Sequence, residues 1–96
     1  MKTKIEITPE AEHDITGIIT NIQLQHPSIA KQTLLEIKKQ FQLLATQPDV
    51  GREGGSEGTR EIVLRGLPYI AIYEHTQSVV TIVRVLAGAG DAEHSV

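Results

Sequence analysis

The spacing of apolar residues along this chain changes twice, from alternation to helical periodicity and back, and the changes divide it into three stretches. Residues 2–7, Lys-Thr-Lys-Ile-Glu-Ile, end in polar–apolar alternation, which predicts a short strand with Ile5 and Ile7 facing inward. Ala11, Ile15, Ile18, Ile19 and Ile22 then recur at helical spacing. Thr8-Pro9-Glu10 ahead of them reads as a helix start: the Thr hydroxyl caps, Pro suits the first turn, and Glu complements the dipole. Gly17 lies inside this helix and weakens it by about 1 kcal/mol relative to Ala. His26-Pro27-Ser28 interrupts the pattern, because Pro27 disfavours helix at the residue before it. A second helix is predicted from there to about Thr46. Its stripe of Ala30, Leu34, Ile37, Phe41 and Leu44 advances in steps of four and three, and Lys31, Gln32, Lys38, Lys39 and Gln42 cover much of the rest. Two helices so closely joined form a helical hairpin.

Gln47-Pro48-Asp49-Val50-Gly51 ends the second helix. Residues 51–58 contain four glycines in eight positions and are expected to form a flexible surface loop. Strand-like runs follow at about 59–64, 69–74 and 79–86, joined by Gly66-Leu67-Pro68 and by His75-Thr76-Gln77-Ser78. Links this short imply an antiparallel meander. From Ala87 the pattern disappears, and residues 87–96 are expected to be a loose tail. The order is therefore β-α-α-β-β-β, an α+β fold. Its helical hairpin packs on one face of a small, mainly antiparallel sheet and leaves the other face open. All 96 residues belong to one domain.

Composition narrows the chemistry. There is no Cys, so thiolate and disulfide chemistry are absent, as suits a reducing cytoplasm. No apolar run approaches the roughly 20 residues that span a bilayer. The net charge of −3 argues against strong non-specific binding to a nucleic-acid backbone, which draws on Lys and Arg. His13, His26, His75 and His94 make no metal-ligand spacing with one another or with a carboxylate, and the glycines at 51–58 lack the Lys-Ser/Thr ending of a phosphate loop. Neither metal nor cofactor is expected. Glu10, Glu12 and Asp14 crowd the start of the first helix, where they complement its dipole.

The remaining candidates are arginines and tyrosines. Strict alternation in the last strand puts Val79, Thr81, Val83 and Val85 on one face and Val80, Ile82, Arg84 and Leu86 on the other. A cation in so apolar a strand needs solvent or a partner, and Arg84 is assigned to the open face. It is either a surface residue with a packed stem, an anion-binding group or half of an ion pair. Arg60 opens the second strand, beside Glu61, and Arg65 closes it next to the turn. Both are suited to gripping phosphate or carboxylate. Tyr69 and Tyr73, four apart, share a face. They read either as core residues or as a stacking surface with hydroxyl donors.

Residues 58–73, Gly-Thr-Arg-Glu-Ile-Val-Leu-Arg-Gly-Leu-Pro-Tyr-Ile-Ala-Ile-Tyr, resemble the strand-turn-strand signature of the RelE/ParE toxins of bacterial type II toxin–antitoxin modules. Residues 84–91, Arg-Val-Leu-Ala-Gly-Ala-Gly-Asp, occupy the place of that family's last strand. The helical hairpin and the Pro48–Gly51–Arg52 segment extend the likeness over nearly the whole chain. The resemblance implies a toxin that inhibits growth, as in plasmid stabilisation. It also implies a cognate antitoxin as partner, with operator DNA contacted only through that antitoxin. Two actions are known in the superfamily. RelE-like members cut ribosome-bound mRNA without a metal, and ParE-like members inhibit DNA gyrase by protein contact. The Gly-Thr-Arg-Glu-Ile-Val run and the acidic charge favour the ParE-like action over the mRNA interferase. By resemblance Arg60, Arg84 and Tyr73 are the catalytic candidates, with Arg65 and Tyr69 as binding candidates. The family usually ends in a pattern like Arg-Val-Leu-His-Gly-x-Arg-Asp. Ala87 stands where the His is expected and Gly90 where the Arg is expected. Neither replacement transfers a proton or neutralises phosphate, so this chain reads as an attenuated toxin. A further alternative is a non-toxic module that binds a partner on its open face.

Overall fold

The computed structural model describes residues 3–88. The elements are β1 (Lys4–Ile7), α1 (Pro9–Gln25), α2 (Pro27–Leu44), β2 (Arg52–Glu53), β3 (Thr59–Val63), β4 (Tyr69–Thr76) and β5 (Val79–Ala87). The five strands form one sheet in the order β1-β5-β4-β3-β2. All neighbours are antiparallel except β1 and β5, which run parallel with Ile5 beside Val80 and Ile7 beside Ile82. No helix among the described residues is long and apolar enough to cross a membrane.

The helix starts arise as the sequence predicts. Thr8 caps α1, its hydroxyl accepting from the Ala11 N–H at 3.0 Å, and Pro9 occupies the first turn. Pro27 opens α2 directly after α1, with His26 as the shared residue between them. The α2 stripe buries Ala30, Ile37, Phe41 and Leu44 against Leu64, Ala71, Tyr73, Val80, Ile82 and Val85 of the sheet. Each such large apolar side chain contributes about 1.5–3 kcal/mol on burial. In α1 only Ala11 is fully buried, with Ile15 and Ile18 packed at the margin.

Three expectations need correction. The glycine-rich 51–58 segment is not loop throughout. Arg52 and Glu53 pair with Glu61 and Arg60 as β2, and the Gly54 N–H donates to the Thr59 carbonyl at 2.8 Å. Ala87 ends β5 rather than starting a tail, and residues 89–96 lie outside the described residues. Nor does β5 alternate strictly. Tyr73 pairs with Ile82 and Ile72 with Arg84, so Val83 is an extra residue on β5, a β-bulge. The bulge resets the phase, so Val80, Ile82 and Val85 are all buried beneath the helices.

Candidate functional site

Arg84 projects from the phase-shifted end of β5, where β1 has already stopped and left the strand's outer edge without a neighbour. The capping residue Thr8 and Asp14 of the first helix supply the missing partners. The Thr8 N–H donates to the Ile82 carbonyl at 3.0 Å, and the Thr8 hydroxyl donates to the Val83 carbonyl at 2.9 Å. The Asp14 carboxylate Oδ2 then accepts from the Val85 N–H at 3.0 Å. It also accepts from Arg84 Nε at 2.6 Å, while Oδ1 accepts from Arg84 Nη2 at 3.0 Å. The pair is bidentate, the geometry that suits guanidinium to carboxylate. The Arg84 hydrogen bonds hold the Asp14 carboxyl below its ordinary pKa, against a smaller upward push from burial. An open groove of about 750 Å³ runs along this edge, lined among others by Glu10, His13, Asp14, Gly17, Arg84 and Ala87.

Arg60 and Tyr73 are cross-strand neighbours on the helix-covered face, and both hold the link from α2 to β2. The buried Tyr73 hydroxyl accepts from the Gly51 N–H at 2.8 Å. Burial pushes the phenol pKa up, so it stays neutral and bonded. Arg60 Nη1 donates to the Gly51 carbonyl at 2.7 Å and the Asp49 carbonyl at 3.2 Å, and its Nε lies 3.6 Å from the Asp49 carboxylate. His75 completes the clasp: Nδ1 lies 2.8 Å from Asp49 Oδ1 and Nε2 lies 3.0 Å from the Gln77 carbonyl. The His75 hydrogen bond lowers the Asp49 pKa. Gly51 has no room for a side chain, since a Cβ would stand 2.7 Å from the Tyr73 hydroxyl and 2.8 Å from the Glu61 carbonyl oxygen.

The sequence candidates are therefore dispersed. Arg60 and Tyr73 adjoin each other beneath the helices, and Tyr73 is fully buried, so its reading as an open-face hydroxyl does not hold. Tyr69 is half-buried on the same side. Arg84 and Ala87 share the groove at the β5 edge, but the Arg84 guanidinium turns to Asp14. Arg65 sits exposed in the β3–β4 turn, and its side chain makes no ion pair among the described residues. Gly90 lies outside the described residues. The open face does not gather free guanidinium groups as expected: its Arg52 is bound by Glu61 at 3.3 Å. Among the described residues no cluster of His, Cys, Asp and Glu could hold a metal ion.

Sequence reasoning missed Asp14, Asp49 and His75. Asp14 read as dipole complement because its partner lies 70 residues away, beyond any periodic signal. The pairing of Asp49 with His75 likewise joins a loop to a strand end, and only the fold reveals it.

Residues 5–92 match the family described as ParE toxin of type II toxin–antitoxin system, parDE. The fold resembles that of a chain from the chromosomal ParDE toxin–antitoxin system of P. aeruginosa, with a TM-score of 0.80 and 20% identity over 90% of this chain and 96% of that one. A chain of the RelBE2 toxin–antitoxin complex from Mycobacterium tuberculosis is similar at TM-score 0.61 and 22% identity, over 91% of this chain and 99% of that one. A mutant of E. coli toxin RelE in the free state follows at 0.62 and 16% identity, over 99% and 93%. No curated protein sequence matches the chain. The solved structures establish the fold, and the match over most of the sequence establishes the family: this chain belongs to the ParE toxins of type II toxin–antitoxin systems.

Proposed function

We propose that this toxin inhibits growth by protein contact with DNA gyrase and is held inactive by a cognate antitoxin. The observation that carries the reading is the engagement of three of its four arginines, all but the turn residue Arg65. Arg52, Arg60 and Arg84 are each bound to a carboxylate or to backbone carbonyls of the chain itself. Cleavage of ribosome-bound mRNA needs a free cation to meet the charge that develops on phosphorus, and an acid and base to move protons. The open face instead offers the apolar Val63, Ile70, Ile72 and Leu86, among charges that are balanced rather than basic: Glu61 with its partner Arg52, Glu74, and Arg84 with its partner Asp14. Such a surface suits a protein better than a polyanion. The solved relatives that are themselves toxin–antitoxin complexes support an antitoxin partner.

Ala87 and Gly90, in place of the family's His and Arg, remove two polar side chains that a protein contact would use as well, and on that ground we read the chain as attenuated. Ala87 lies exposed at the end of β5, on the lip of the groove that also holds Arg84. Purified protein added to a gyrase supercoiling reaction tests both parts. Weak inhibition is expected from the chain as it stands, and strong inhibition from the Ala87→His, Gly90→Arg form. That form should also arrest growth when expressed without an antitoxin. Cleavage of ribosome-bound mRNA by the reverted form, with gyrase unaffected, would overturn the reading in favour of the endonuclease.

A further inference from the structure

The outer edge of β3 is closed by a side chain that imitates a strand. The Leu64 N–H donates inward to the Tyr69 carbonyl at 2.9 Å, so by alternation residues 59, 61, 63 and 65 direct their main-chain groups away from β4. Thr59 is met by Gly54 and Glu61 by Arg52 of β2. At Arg65 the partner is Gln40 of α2. Its Oε1 accepts from the Arg65 N–H at 2.6 Å and its Nε2 donates to the Arg65 carbonyl at 2.8 Å. The second Nε2 hydrogen goes to Glu36 Oε2 at 2.9 Å, which fixes the orientation of the amide. Gln40 thus makes the pair of bonds a neighbouring strand would make. Between β2 and this plug, the N–H and carbonyl of Val63 meet no partner among the described residues.

An unguarded edge of this kind is a template for pairing with another chain. Around it lie the exposed apolar side chains Leu43, Val50 and Val63, at 56%, 56% and 46% exposure, lining one groove with Gln40 and Arg65. We infer that the Val63–Arg65 edge is a strand-pairing surface for a second copy of this chain, and that Gln40 holds it shut.

The edge is self-complementary. A two-fold axis at Leu64 sets Val63 of one copy opposite Arg65 of the other, twice, so that four main-chain hydrogen bonds form without displacing β2. Arg65 then lies diagonal to Glu61 of the second copy, within reach of a long side chain. The native contact on these main-chain groups that must give way is that of Gln40 on Arg65.

Amide hydrogen exchange on the unaltered protein gives the first test. The Arg65 N–H should be protected, while the Val63 N–H two residues away exchanges freely. Equal rates at the two sites would overturn the plug. In Gln40→Ala the dilute monomer should exchange at Arg65 about tenfold faster, the effect of losing a hydrogen bond of ordinary strength. Light scattering should show the same variant dimerising as concentration rises, while the unaltered chain stays monomeric. Gln40→Ala combined with Val63→Pro should return to monomer. The proline removes only an N–H that points away from β4, so the fold should tolerate it. A Gln40→Ala variant that stays monomeric at every concentration, or a double variant that still dimerises, would overturn the pairing surface.

Discussion

Asp14 Oδ2 accepts two hydrogen bonds at once, from the Arg84 side chain at 2.6 Å and from the Val85 main chain at 3.0 Å. The carboxylate is therefore both an ion-pair partner and the edge neighbour of β5. The two roles separate by mutation. Asp14→Ala leaves the Val85 N–H without its partner, a loss of about 1–3 kcal/mol. Arg84→Ala leaves that bond in place and should cost less. Thermal melts of the two variants check the order, and equal destabilisation would assign the whole effect to the ion pair.

The same carboxylate sets a pH dependence. Its folded pKa is below its ordinary value. Its contribution is therefore complete above the unfolded carboxylate pKa of about 3.9 and is lost as pH falls through the lower folded value. The difference in melting temperature between the unaltered chain and Asp14→Asn should be constant near neutral pH and shrink in acid. Asp49, lowered by its His75 bond, acts in the same direction.

Gly51 admits no side chain. Gly51→Ala should cost about 1–3 kcal/mol, as overpacking commonly does. Tyr73→Phe removes one of the two closest atoms but leaves the Glu61 carbonyl oxygen 2.8 Å from the new Cβ. Combining the two substitutions should therefore relieve the strain in part. Denaturant titrations of the two single variants and the double variant measure the coupling, and strict additivity would show that the hydroxyl is not what crowds the alanine.

Phe41 is buried at the centre of the α2 stripe. Phe41→Ala should cost about 3–5 kcal/mol, most of the stability available to a domain of this size. A broad, non-cooperative melt is the expected result.

What could be read in the sequence follows the range of the interactions. Thr8-Pro9 and Pro27 announce their helices because capping acts within a turn. The stripe from Ala30 to Leu44 identifies its buried face because periodicity is local. The bulge at Val83 carries no such signal, yet it changes which side chains face the helices. β2 was hidden because two residues among glycines have no period. The signature residues Gly51, Arg60 and Tyr73 were visible as a pattern, but their purpose was not. In the fold they fasten one crossover segment. Arg84 likewise could not reveal that its counter-ion waits on a helix near the opposite end of the chain.

The parallel pairing of β1 with β5, reinforced by the Thr8 hydroxyl on Val83, joins residues 75 positions apart in the sequence. During synthesis the leading strand and hairpin emerge without the neighbour that completes them, and they must wait for Val79–Ala87 to clear the ribosome. Closure over so long a sequence separation is slow compared with local helix formation. A poison built this way cannot be assembled from a partial copy. Completion of the sheet is therefore deferred until β5 itself has emerged.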